Sequence, residues 1–461
     1  MTEIESSIFR KYDIRGRAMG DNRTITVDAA RLIGQAFGTY IQDIEHEKTV
    51  VVGRDNRHSS YDLMYAAIDG LAASGCDVID IGLVSTPVLY WHAVARDNAG
   101  GMMITGSHLP PDQNGFKLSV GSRSLHSEQI QMLRSFIVGN HLYYGDGRVE
   151  ADDRAYGSYI YDLAGRLVMD RALTVVIDAG NGTGGLFGPR LVQMWGHKVH
   201  CIYCQPDGNY PNHHPDPLEP QNMIALGEAV REHGADVGIA FDGDADRMGV
   251  VDERGEMIVA DRVLALLAQD MLGRNPGAGV VVDVLTSQAV IDAIEDTTGQ
   301  VIMSPTGHSL VKEKMRDSGA LLGGEVSAHI FLAEDYHGFD DGYLAAGRLL
   351  QVIASSEHTL SALNGAIPTL YSTPIYRPYC PEALKDEVID HIRTALANQG
   401  EIIDIDGVRI QFEKGWGLIR ASNTEAVLTL RFEAESEADA LAYRDLFAAE
   451  LAKFADVGTL E

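Results

Sequence analysis

Cysteine, basic residues and long apolar runs are all scarce in this sequence. Only 4 of its 461 residues are Cys, too few for a disulfide framework in a chain of this length. No apolar run reaches the length of a membrane span, and no charged segment followed by an apolar stretch marks a signal peptide. We therefore expect a soluble, cytoplasmic protein that does not engage a membrane.

Acidic residues far outnumber basic ones. The chain has 37 Lys and Arg against 66 Asp and Glu, which gives a formal net charge of −29. This charge disfavours nucleic acid and anionic membranes as partners. If the ligand is a phosphate, the few cations must be gathered in one cleft. The acidity is compatible with salt adaptation and with simple solubility, and the sequence leaves both open.

Two of the four cysteines, Cys201 and Cys204, form a C-x-x-C motif. A zinc site of the common four-ligand type needs a second such pair, which the sequence lacks. On a strand, the two side chains would point to opposite faces of the sheet. We therefore predict no zinc site at this motif.

The chain is too long for a single core, so we expect three or four domains. Segments 49–55, 175–178 and 280–283 have the pattern of buried strands that end in an acidic residue. Each is followed by a helix-compatible stretch and then by another strand. This repeated βαβ spacing predicts three related α/β domains.

The last part of the chain has a different pattern. Strand-like runs at 407–413, 417–420 and 426–434 precede a predicted helix at 437–454. The pattern predicts a smaller α+β domain with an antiparallel sheet. The predicted domains span residues 1–151, 152–254, 255–366 and 367–461.

The chain is organised around an acidic loop that follows an apolar run at 237–241. Asp242, Asp244 and Asp246 occupy alternate positions in this loop, and Arg247 comes next. Three carboxylates so close together suit a hard divalent cation such as Mg²⁺. A guanidinium beside the metal is what an anionic phosphoryl group needs. The sequence therefore predicts a metal site that handles a phosphoryl group.

Two other interpretations of this loop are weaker. A calcium loop of the EF-hand type requires Gly at its sixth position, where this chain has Arg247. The segments on either side also have the pattern of strands, not helices. A solvated acidic turn is the other alternative, and the buried strand and the adjacent Arg247 argue against it.

A second polar loop, 105–111, follows the apolar run 101–104. Ser107 lies at the end of this predicted strand beside His108, and Lys117 follows the next turn. A Ser in this position can act as a nucleophile or as a phosphoryl carrier. A Thr-Gly-Ser turn can equally be structural, and the G-x-S-x-G motif of hydrolases is absent.

Two further segments could bind a sugar phosphate. Glu325 and Ser327 share one side of a segment that we predict to be extended, where a carboxylate and a hydroxyl could grip neighbouring sugar hydroxyls. A later turn could hold a phosphate. Its candidate ligands are Arg420, Ser422, Asn423 and Thr424. Both segments also have the composition of ordinary turns.

Together these loops resemble those of the α-D-phosphohexomutase superfamily, most closely its bacterial phosphomannomutase/phosphoglucomutase members. The resemblance covers essentially the whole chain in the family's order. The matching segments are 9–16 (FRKYDIRG), 105–111, 242–247, 324–329 and 420–425, with 209–217 and 338–342 in support. The resemblance implies three α/β domains and a distinct fourth around a central cleft, which agrees with the fold expected above.

The resemblance also implies a reaction. Ser107 would carry a phosphoryl group, held by one Mg²⁺ on Ser107, Asp242, Asp244 and Asp246. Ser107 would pass this group to the free hydroxyl of glucose 1-phosphate or mannose 1-phosphate. The resulting 1,6-bisphosphate would turn over in the cleft and return its other phosphate to Ser107. Glucose 1,6-bisphosphate would thus be both intermediate and activator, and hexose phosphates the partners.

The resemblance assigns the other site residues to four groups. Those around the transferring group are Arg247, His108, Lys117 and His329, with Lys117 or His329 as general acid/base. Those that would bind the sugar are Glu325, Ser327 and His308. Those that would hold the second phosphate are Arg420, Ser422, Asn423 and Thr424. Tyr12 and Arg15 would line the cleft, and the fourth domain would close over it as a lid.

The chain departs from the family pattern at four positions. Three departures are mild: Leu109 in place of Asn, and Ala245 and Ala328 in place of Gly. The fourth is Leu285, where bacterial relatives often carry a Lys near the substrate phosphate. In its absence, Arg262 or His308 would bind the substrate phosphate, and the sequence does not decide between them.

Three alternative functions remain open. Phosphoglucosamine mutases usually have a GTDGIRG-type N-terminus, whereas residues 11–16 here are KYDIRG. A phosphatase would result if water reached the phosphoserine faster than sugar does. A non-catalytic sugar-phosphate sensor would not need Ser107 or three metal carboxylates. Sugar preference and the choice between monomer and dimer also stay open.

Overall fold

The computed structural model describes residues 4–422 and 425–460. In these residues four β-sheets follow one another along the chain. The first three contain parallel strands joined through helices, and the fourth is antiparallel. The predicted fold class, three α/β domains followed by an α+β domain, is confirmed. Each helix in the described residues lacks either the length or the apolar character that crossing a bilayer would require.

The first unit is built on a seven-stranded mixed sheet with the order β1-β5-β4-β2-β3-β7, in which β6 pairs with β5. Its strands are β1 (Ile14–Arg17), β2 (Thr49–Arg54), β3 (Asp77–Leu83), β4 (Gly100–Ile104), β5 (Gln113–Val120), β6 (Arg123–Ser124) and β7 (Val149–Ala151). Its helices are α1 (Val27–Asp43), α2 (Ser60–Ser74), α3 (Thr86–Ala95) and α4 (Glu128–Val138), preceded by a 3₁₀ turn at Ser6–Ile8.

The second unit has a five-stranded sheet in the order β12-β11-β10-β8-β9. Its strands are β8 (Thr174–Asp178), β9 (Lys198–Ile202), β10 (Val237–Phe241), β11 (Met248–Val251) and β12 (Met257–Ile258). Its helices are α5 (Ala155–Arg166), α6 (Gly184–Met194) and α7 (Pro220–His233). Strand β12 pairs with β11, so the second sheet extends past the predicted boundary at residue 254.

The third unit has a four-stranded sheet in the order β14-β13-β15-β16. Its strands are β13 (Gly279–Asp283), β14 (Gln300–Ser304), β15 (Leu322–Gly324) and β16 (Ile330–Leu332). Its helices are α8 (Ala260–Arg274), α9 (Gln288–Asp296), α10 (His308–Ser318), α11 (Gly342–Ser355) and α12 (Leu360–Gly365).

The C-terminal unit has a five-stranded antiparallel sheet in the order β17-β21-β20-β19-β18. Its strands are β17 (Tyr371–Ser372), β18 (Glu401–Ile403), β19 (Val408–Phe412), β20 (Gly415–Ala421) and β21 (Leu428–Ala434). Its helices are α13 (Lys385–Ala395) and α14 (Glu437–Leu451), with a 3₁₀ turn at Glu382–Leu384.

One buried hydrophobic cluster is shared by the first three units, and others are confined to a single unit, as in the first and the C-terminal units. The shared core contains buried residues from all of the first three units, for example Val51, Val175 and Val282. The C-terminal unit has its own core, which includes Leu430 and Phe447. The first three units are therefore packed against one another through a common core. The C-terminal unit has a core of its own.

Two of the loops predicted to be functional follow the carboxyl ends of strands in two different sheets. The loop with Ser107 follows β4, and the acidic loop follows β10. Polar loops at these strand ends are where open α/β sheets bind ligands. The fold thus accounts for how distant segments of the sequence meet in one cleft.

Candidate active site

Two buried residues just after β2 hold the loop that contains Ser107. Asp55 accepts hydrogen bonds from Thr105 Oγ1 at 2.8 Å and from the Gly106 amide at 3.0 Å. Arg57 donates to the Ser107 carbonyl oxygen at 2.7 Å and pairs with Asp55 at 3.2 Å. The local sequence pattern does not predict this support. The acidic residue at the end of the β2 segment was its only signal.

Two glycines allow these loops to approach one another. A Cβ added to Gly243 would lie 2.3 Å from the Ser107 carbonyl oxygen. A Cβ added to Gly106 would lie 2.4 Å from Arg57 Nε. Both distances are too short for real atoms, so a larger residue at either position would push the serine loop out of place.

Ser107 presents its hydroxyl to the acidic loop. Its φ of 49° lies in the left-handed region, and the residue is only 2% exposed. The hydroxyl donates to Asp242 Oδ2 at 2.7 Å and lies 3.1 Å from His108 Nδ1. Burial, together with the cations Arg247 and Arg15, lowers the pKa of His108 well below its usual value. This shift favours the neutral form of His108 beside the serine.

The three carboxylates of the acidic loop converge. Asp242, Asp244 and Asp246 are each 0% exposed, and they offer ligand oxygens within 4.8 Å of one another. The loop turns through Ala245, whose φ is 58°. Asp244 Oδ1 and Asp246 Oδ1 are buried and have no hydrogen-bond partner in the described part of the chain. Buried, converging carboxylate oxygens with unused acceptor capacity suit a hard cation such as Mg²⁺.

Two side-chain cations balance this buried charge. Lys117 donates to Asp244 at 2.7 Å and also to Asp246, and Arg247 Nε lies 3.3 Å from Asp242 Oδ2. Burial alone would lower the pKa of Lys117, but Asp244 and Asp246 raise it well above its usual value. Burial, reinforced by the charges of Asp244 and Asp246, raises the pKa of Asp242 well above its usual range. The cluster is thus an electrostatically coupled centre.

His329 belongs to a buried polar group next to these carboxylates. Its Nδ1 lies 3.1 Å from Asp340 Oδ2 and 3.9 Å from Asp246 Oδ1. Lys312 donates to Asp340 Oδ1 at 2.7 Å, and the His308 ring stacks on His329 with centroids 5.3 Å apart. The sequence pattern predicts no role for Asp340 or Lys312. The only signal was that Asp340 falls in the supporting segment 338–342.

The segment with Glu325 and Ser327 is a turn between β15 and β16, not an extended stretch. The Ala328 amide donates to the Glu325 carbonyl oxygen at 3.0 Å, and Ala328 has a φ of 69°. The Glu325 side chain is 2% exposed and accepts from the Gly307 amide at 2.6 Å. Burial, followed by the charge of Asp283, raises its pKa to about 8. The predicted extended geometry was wrong because antiparallel pairing reverses the chain here.

A cavity of about 400 Å³ lies over this centre. The predicted site residues that line it are Tyr12, Arg15, His108, His308, Glu325, Ser327 and His329. Arg10 and Lys11 also line it, so three cations with Arg15 gather here in a strongly acidic chain. The departure Leu109 is another lining residue.

The C-terminal unit reaches this cavity through Glu425. Arg420 and Ser422 lie outside the lining in the described residues. Arg420 Nε donates to Asp406 Oδ2 at 2.8 Å, and Lys385 donates to the Ser422 carbonyl oxygen at 2.7 Å. The other two predicted phosphate ligands, Asn423 and Thr424, fall outside the residues that the structure describes.

Leu285 serves as a packing residue. It is buried in an apolar cluster with Val284, Trp416 and Leu418, which joins the third unit to the C-terminal unit. Arg262, one of the two proposed substitutes, donates to the carbonyl oxygens of residues 364, 367 and 368 and does not line the cavity. Of the two alternatives, His308 alone is part of the cavity wall.

Comparison with known proteins places the chain in a family. Four family domains match in order. They are phosphoglucomutase/phosphomannomutase alpha/beta/alpha domains I (residues 6–138), II (157–255) and III (260–371) and the C-terminal domain (380–450).

Several relatives match over nearly their whole length. The chain is 43% identical to a phosphomannomutase/phosphoglucomutase of Pseudomonas aeruginosa, covering 97% of this chain and 96% of the relative. It is 42% identical to a phosphoglucomutase of Neisseria meningitidis, covering 95% of each. A crystal structure of a family protein from Burkholderia thailandensis superposes with a TM-score of 0.92 at 39% identity, covering 98% of this chain and 99% of that one. This chain therefore belongs to the phosphoglucomutase/phosphomannomutase family.

Proposed function

We propose that this protein is a phosphomannomutase/phosphoglucomutase that moves a phosphoryl group between C1 and C6 of mannose and glucose phosphates. Ser107 carries the group between the two positions, and a hexose 1,6-bisphosphate is the intermediate. The observation that carries the proposal is the contact of the Ser107 hydroxyl with Asp242 at 2.7 Å, inside a centre that also holds Lys117 and Arg247. The family's relatives, named for both sugars, support the same activity.

Mg²⁺ is the cofactor that fits the acidic loop. Ser107, Asp242, Asp244 and Asp246 would hold it, because oxygen donors of this kind are the ligands that hard cations prefer. When bound, it would neutralise negative charge on the group being transferred. The unpartnered oxygens of Asp244 and Asp246 support this assignment.

The protein residues position and neutralise the phosphoryl group, which is most of what phosphoryl transfer requires. The Ser107 oxygen gives up the phosphoryl group to the free sugar hydroxyl, and this hydroxyl loses its proton. Arg247 neutralises charge on the group in transit. His329 is a candidate base because its ring lies beside the acidic loop, with Nδ1 3.9 Å from Asp246 Oδ1 and 3.1 Å from Asp340 Oδ2. Lys117, the other candidate, is held by two carboxylates, whose charge stabilises its protonated form.

The sugar would be held by groups that the two epimers share. Glucose and mannose differ at C2, whereas Glu325 and Ser327 would contact the hydroxyls at C3 and C4. A site that reads only shared hydroxyls discriminates weakly. We therefore expect kcat/KM for glucose 1-phosphate and mannose 1-phosphate to agree within roughly 100-fold. A preference above about 10⁴ for one epimer would mean that another residue reads the C2 hydroxyl.

The proposal also covers the second phosphate, the cellular location, the domain boundaries and the oligomeric state. Arg420, Ser422, Asn423 and Thr424 would hold the phosphate that is not reacting, once the C-terminal unit closes over the cleft. All four cysteines are free thiols, which supports a cytoplasmic location. The proposed domain boundaries remain at residues 151 and 366, and the boundary predicted at residue 254 moves past β12 (Met257–Ile258). The protein would act as a monomer or a dimer.

The test is a coupled mutase assay on both sugar 1-phosphates, with and without glucose 1,6-bisphosphate. Ser107→Ala should lose nearly all turnover while its melting temperature stays near that of the wild type. Ser135→Ala, at an exposed position of α4, is the matched control and should keep full activity. Normal turnover by Ser107→Ala would overturn the proposal.

The same assay separates the alternatives. Faster turnover of glucosamine 1-phosphate than of either hexose would indicate a phosphoglucosamine mutase, the name given to a relative from Methanopyrus kandleri that is 34% identical. Release of inorganic phosphate in place of product would indicate a phosphatase. Tight binding of sugar phosphates without turnover would indicate a sensor.

A further inference from the structure

The backbone of the acidic loop is held by the first residues of three helices, one from each of the first three units. The carbonyl oxygens of residues 243, 244 and 245 each accept one amide hydrogen bond. The donors, in that order, are Thr183 at 3.0 Å, Thr86 at 3.0 Å and Gly342 at 3.2 Å. Thr183 directly precedes α6, and the other two are the first residues of α3 and α11. Amides at helix N-termini carry partial positive charge, so they stabilise a loop of buried carboxylates.

Thr86 differs from the other two donors in what its side chain does. Gly342 has no side chain, and the Thr183 hydroxyl donates to the Gly243 carbonyl oxygen at 3.2 Å. The Thr86 hydroxyl instead donates to a carboxylate oxygen, Asp244 Oδ2, at 2.5 Å. Thr86 is 0% exposed, so this hydrogen bond is shielded from bulk water. Thr86 therefore contacts Asp244 twice, through its amide and through its hydroxyl.

These contacts distinguish the two oxygens of the Asp244 carboxylate. Oδ2 also accepts from Lys117 Nζ at 2.7 Å, so it has two donors. Oδ1 is buried and has no hydrogen-bond partner among the residues that the structure describes. The carboxylate can turn about its Cβ–Cγ bond, because that torsion is broad in Asp. Two donors on Oδ2 restrict this turn and leave Oδ1 free for a cation.

The two donors restrain the carboxylate in different ways. Lys117 ends a flexible four-carbon stem and supplies mainly charge. Thr86 has a short, β-branched side chain with few χ1 rotamers, and its backbone is fixed at the start of α3. Its hydroxyl therefore determines the direction from which Oδ2 is approached. Removal of this hydroxyl would leave Lys117 alone to hold the carboxylate.

We propose that Thr86 is a positioning residue for the divalent cation, acting through Asp244 without contacting cation or substrate. The inference rests on the proposed function, which assigns Mg²⁺ to the acidic loop. Groups that hydrogen-bond to a metal ligand from behind typically contribute 10- to 100-fold to metal affinity. We therefore expect the Thr86 hydroxyl to contribute on this scale, although Thr86 lies in α3, far from the acidic loop in sequence.

The experiment measures Mn²⁺ binding to the full-length protein by electron paramagnetic resonance, without sugar phosphate, so that turnover plays no part. Mn²⁺ prefers the same oxygen ligands as Mg²⁺. The signal that Asp242→Asn loses identifies binding at the acidic loop. Thr86→Ser and Thr86→Ala both lack the methyl group, but only Thr86→Ser keeps the hydroxyl. We expect the Kd of Thr86→Ala to be roughly 10- to 100-fold above that of the wild type and that of Thr86→Ser to stay close to it.

Two further variants separate positioning from stability. Thr86→Val keeps the size and branching of the side chain, so it should fold even if Thr86→Ala does not, and it should weaken Mn²⁺ binding to the same extent. Thr39 is a buried threonine of α1 whose hydroxyl donates to the Gln35 carbonyl oxygen at 2.9 Å. Thr39→Ala should lower the melting temperature and leave the Mn²⁺ affinity unchanged.

The outcomes distinguish this inference from the proposed function. Wild-type Mn²⁺ affinity in Thr86→Ala and Thr86→Val would overturn the inference and leave the proposed function in place. Equal weakening in Thr86→Ser and Thr86→Ala would also overturn it, because packing of the methyl group would then be responsible. Weakened binding in Thr86→Ala together with full turnover by Ser107→Ala would support the inference and overturn the proposed function. A wild-type protein without Mn²⁺ binding at the acidic loop would overturn both this inference and the assignment of Mg²⁺.

Discussion

The two ends of the cleft are built differently. At the transfer end, fully buried Asp242 and Asp244 contact Ser107 and Lys117, which come from another unit of the chain. At the end of the cleft formed by the C-terminal unit, Arg420 is paired with Asp406 of the same unit. The first end is assembled from parts of a shared core, whereas at the second end Asp406 also accepts from the Thr306 amide of the third unit at 3.1 Å.

This difference suggests that the two ends of the cleft have different roles. The transfer end is organised before substrate arrives, because its loops are fixed by buried hydrogen bonds and by the core of the first three units. The C-terminal unit has a separate core and contacts the third unit through the apolar cluster of Leu285 and Trp416. We expect residues at the first end to set the rate of transfer and residues at the second to set affinity. The predictions below test that division.

The largest effect is expected at the acidic loop. Asp242→Asn, Asp244→Asn and Asp246→Asn each remove one anionic oxygen ligand, so kcat should fall by at least about 100-fold and the Mg²⁺ requirement should rise. Titration of activity with Mg²⁺ measures both. Asp270→Asn, on the surface of α8, should behave as the wild type. If all three variants kept the wild-type Mg²⁺ dependence, the loop would be structural.

A smaller and different effect is expected at the C-terminal end. Arg420→Ala should raise KM by roughly 10- to 100-fold, the range of a lost charge-assisted hydrogen bond, and should change kcat much less. Steady-state kinetics on glucose 1-phosphate separate the two constants. Arg444→Ala, which removes a cation from α14, is the control. A fall in kcat with unchanged KM would contradict the division between the two ends.

Local sequence patterns predicted well the end of the cleft that contains the acidic loop. The apolar run 237–241 and the alternating carboxylates after it correctly predicted strand β10 and a cluster of three carboxylates, because both depend on neighbours in sequence. The supports of the Ser107 loop, Asp55 and Arg57, were missed. Their roles arise from contacts across two strands, and a single sequence does not reveal such pairings.

The same reasoning explains the errors. Glu325 and Ser327 were placed on an extended segment because alternation was the only local signal, whereas pairing of β15 with β16 makes the segment a turn. Only Cys201 of the C-x-x-C motif lies on a strand, because β9 ends at Ile202, before Cys204. Leu285 is apolar because it packs against Trp416 of another unit, a contact that its neighbours in sequence do not indicate.

The buried carboxyl of Glu325 should make stability depend on pH. Its pKa is raised from 4.5 to about 8 in the folded protein. Between these values the folded state binds the proton more tightly than the unfolded state, so this contribution to stability falls as pH rises and is lost near pH 8. As pH rises over this range, the melting temperature of Glu325→Gln should therefore fall less than that of the wild type. Ser327→Ala, in the same turn but without a titrating group, should follow the wild type. Parallel curves for the wild type and Glu325→Gln would contradict the burial of a charged group here.

The smallest effect concerns the sugar turn. Ala328 has a φ of 69°, which costs an L-residue with a Cβ roughly 1 kcal/mol relative to glycine. Ala328→Gly should therefore raise the free energy of unfolding by about that amount. Ala449→Gly, at an exposed position of α14, should lower it by about 0.5–1 kcal/mol. Denaturant unfolding of both variants makes the comparison, and a loss of stability in Ala328→Gly would show that the turn is not strained.

The central claim, that Ser107 carries the phosphoryl group, is tested most directly by the intact mass of the protein after incubation with glucose 1,6-bisphosphate and Mg²⁺. The account predicts an added phosphoryl group that maps to Ser107 and is lost on addition of a hexose monophosphate. Ser107→Ala should gain no mass under the same conditions. Full mutase turnover without any phosphorylated protein, or a phosphoryl group on another residue, would contradict the account.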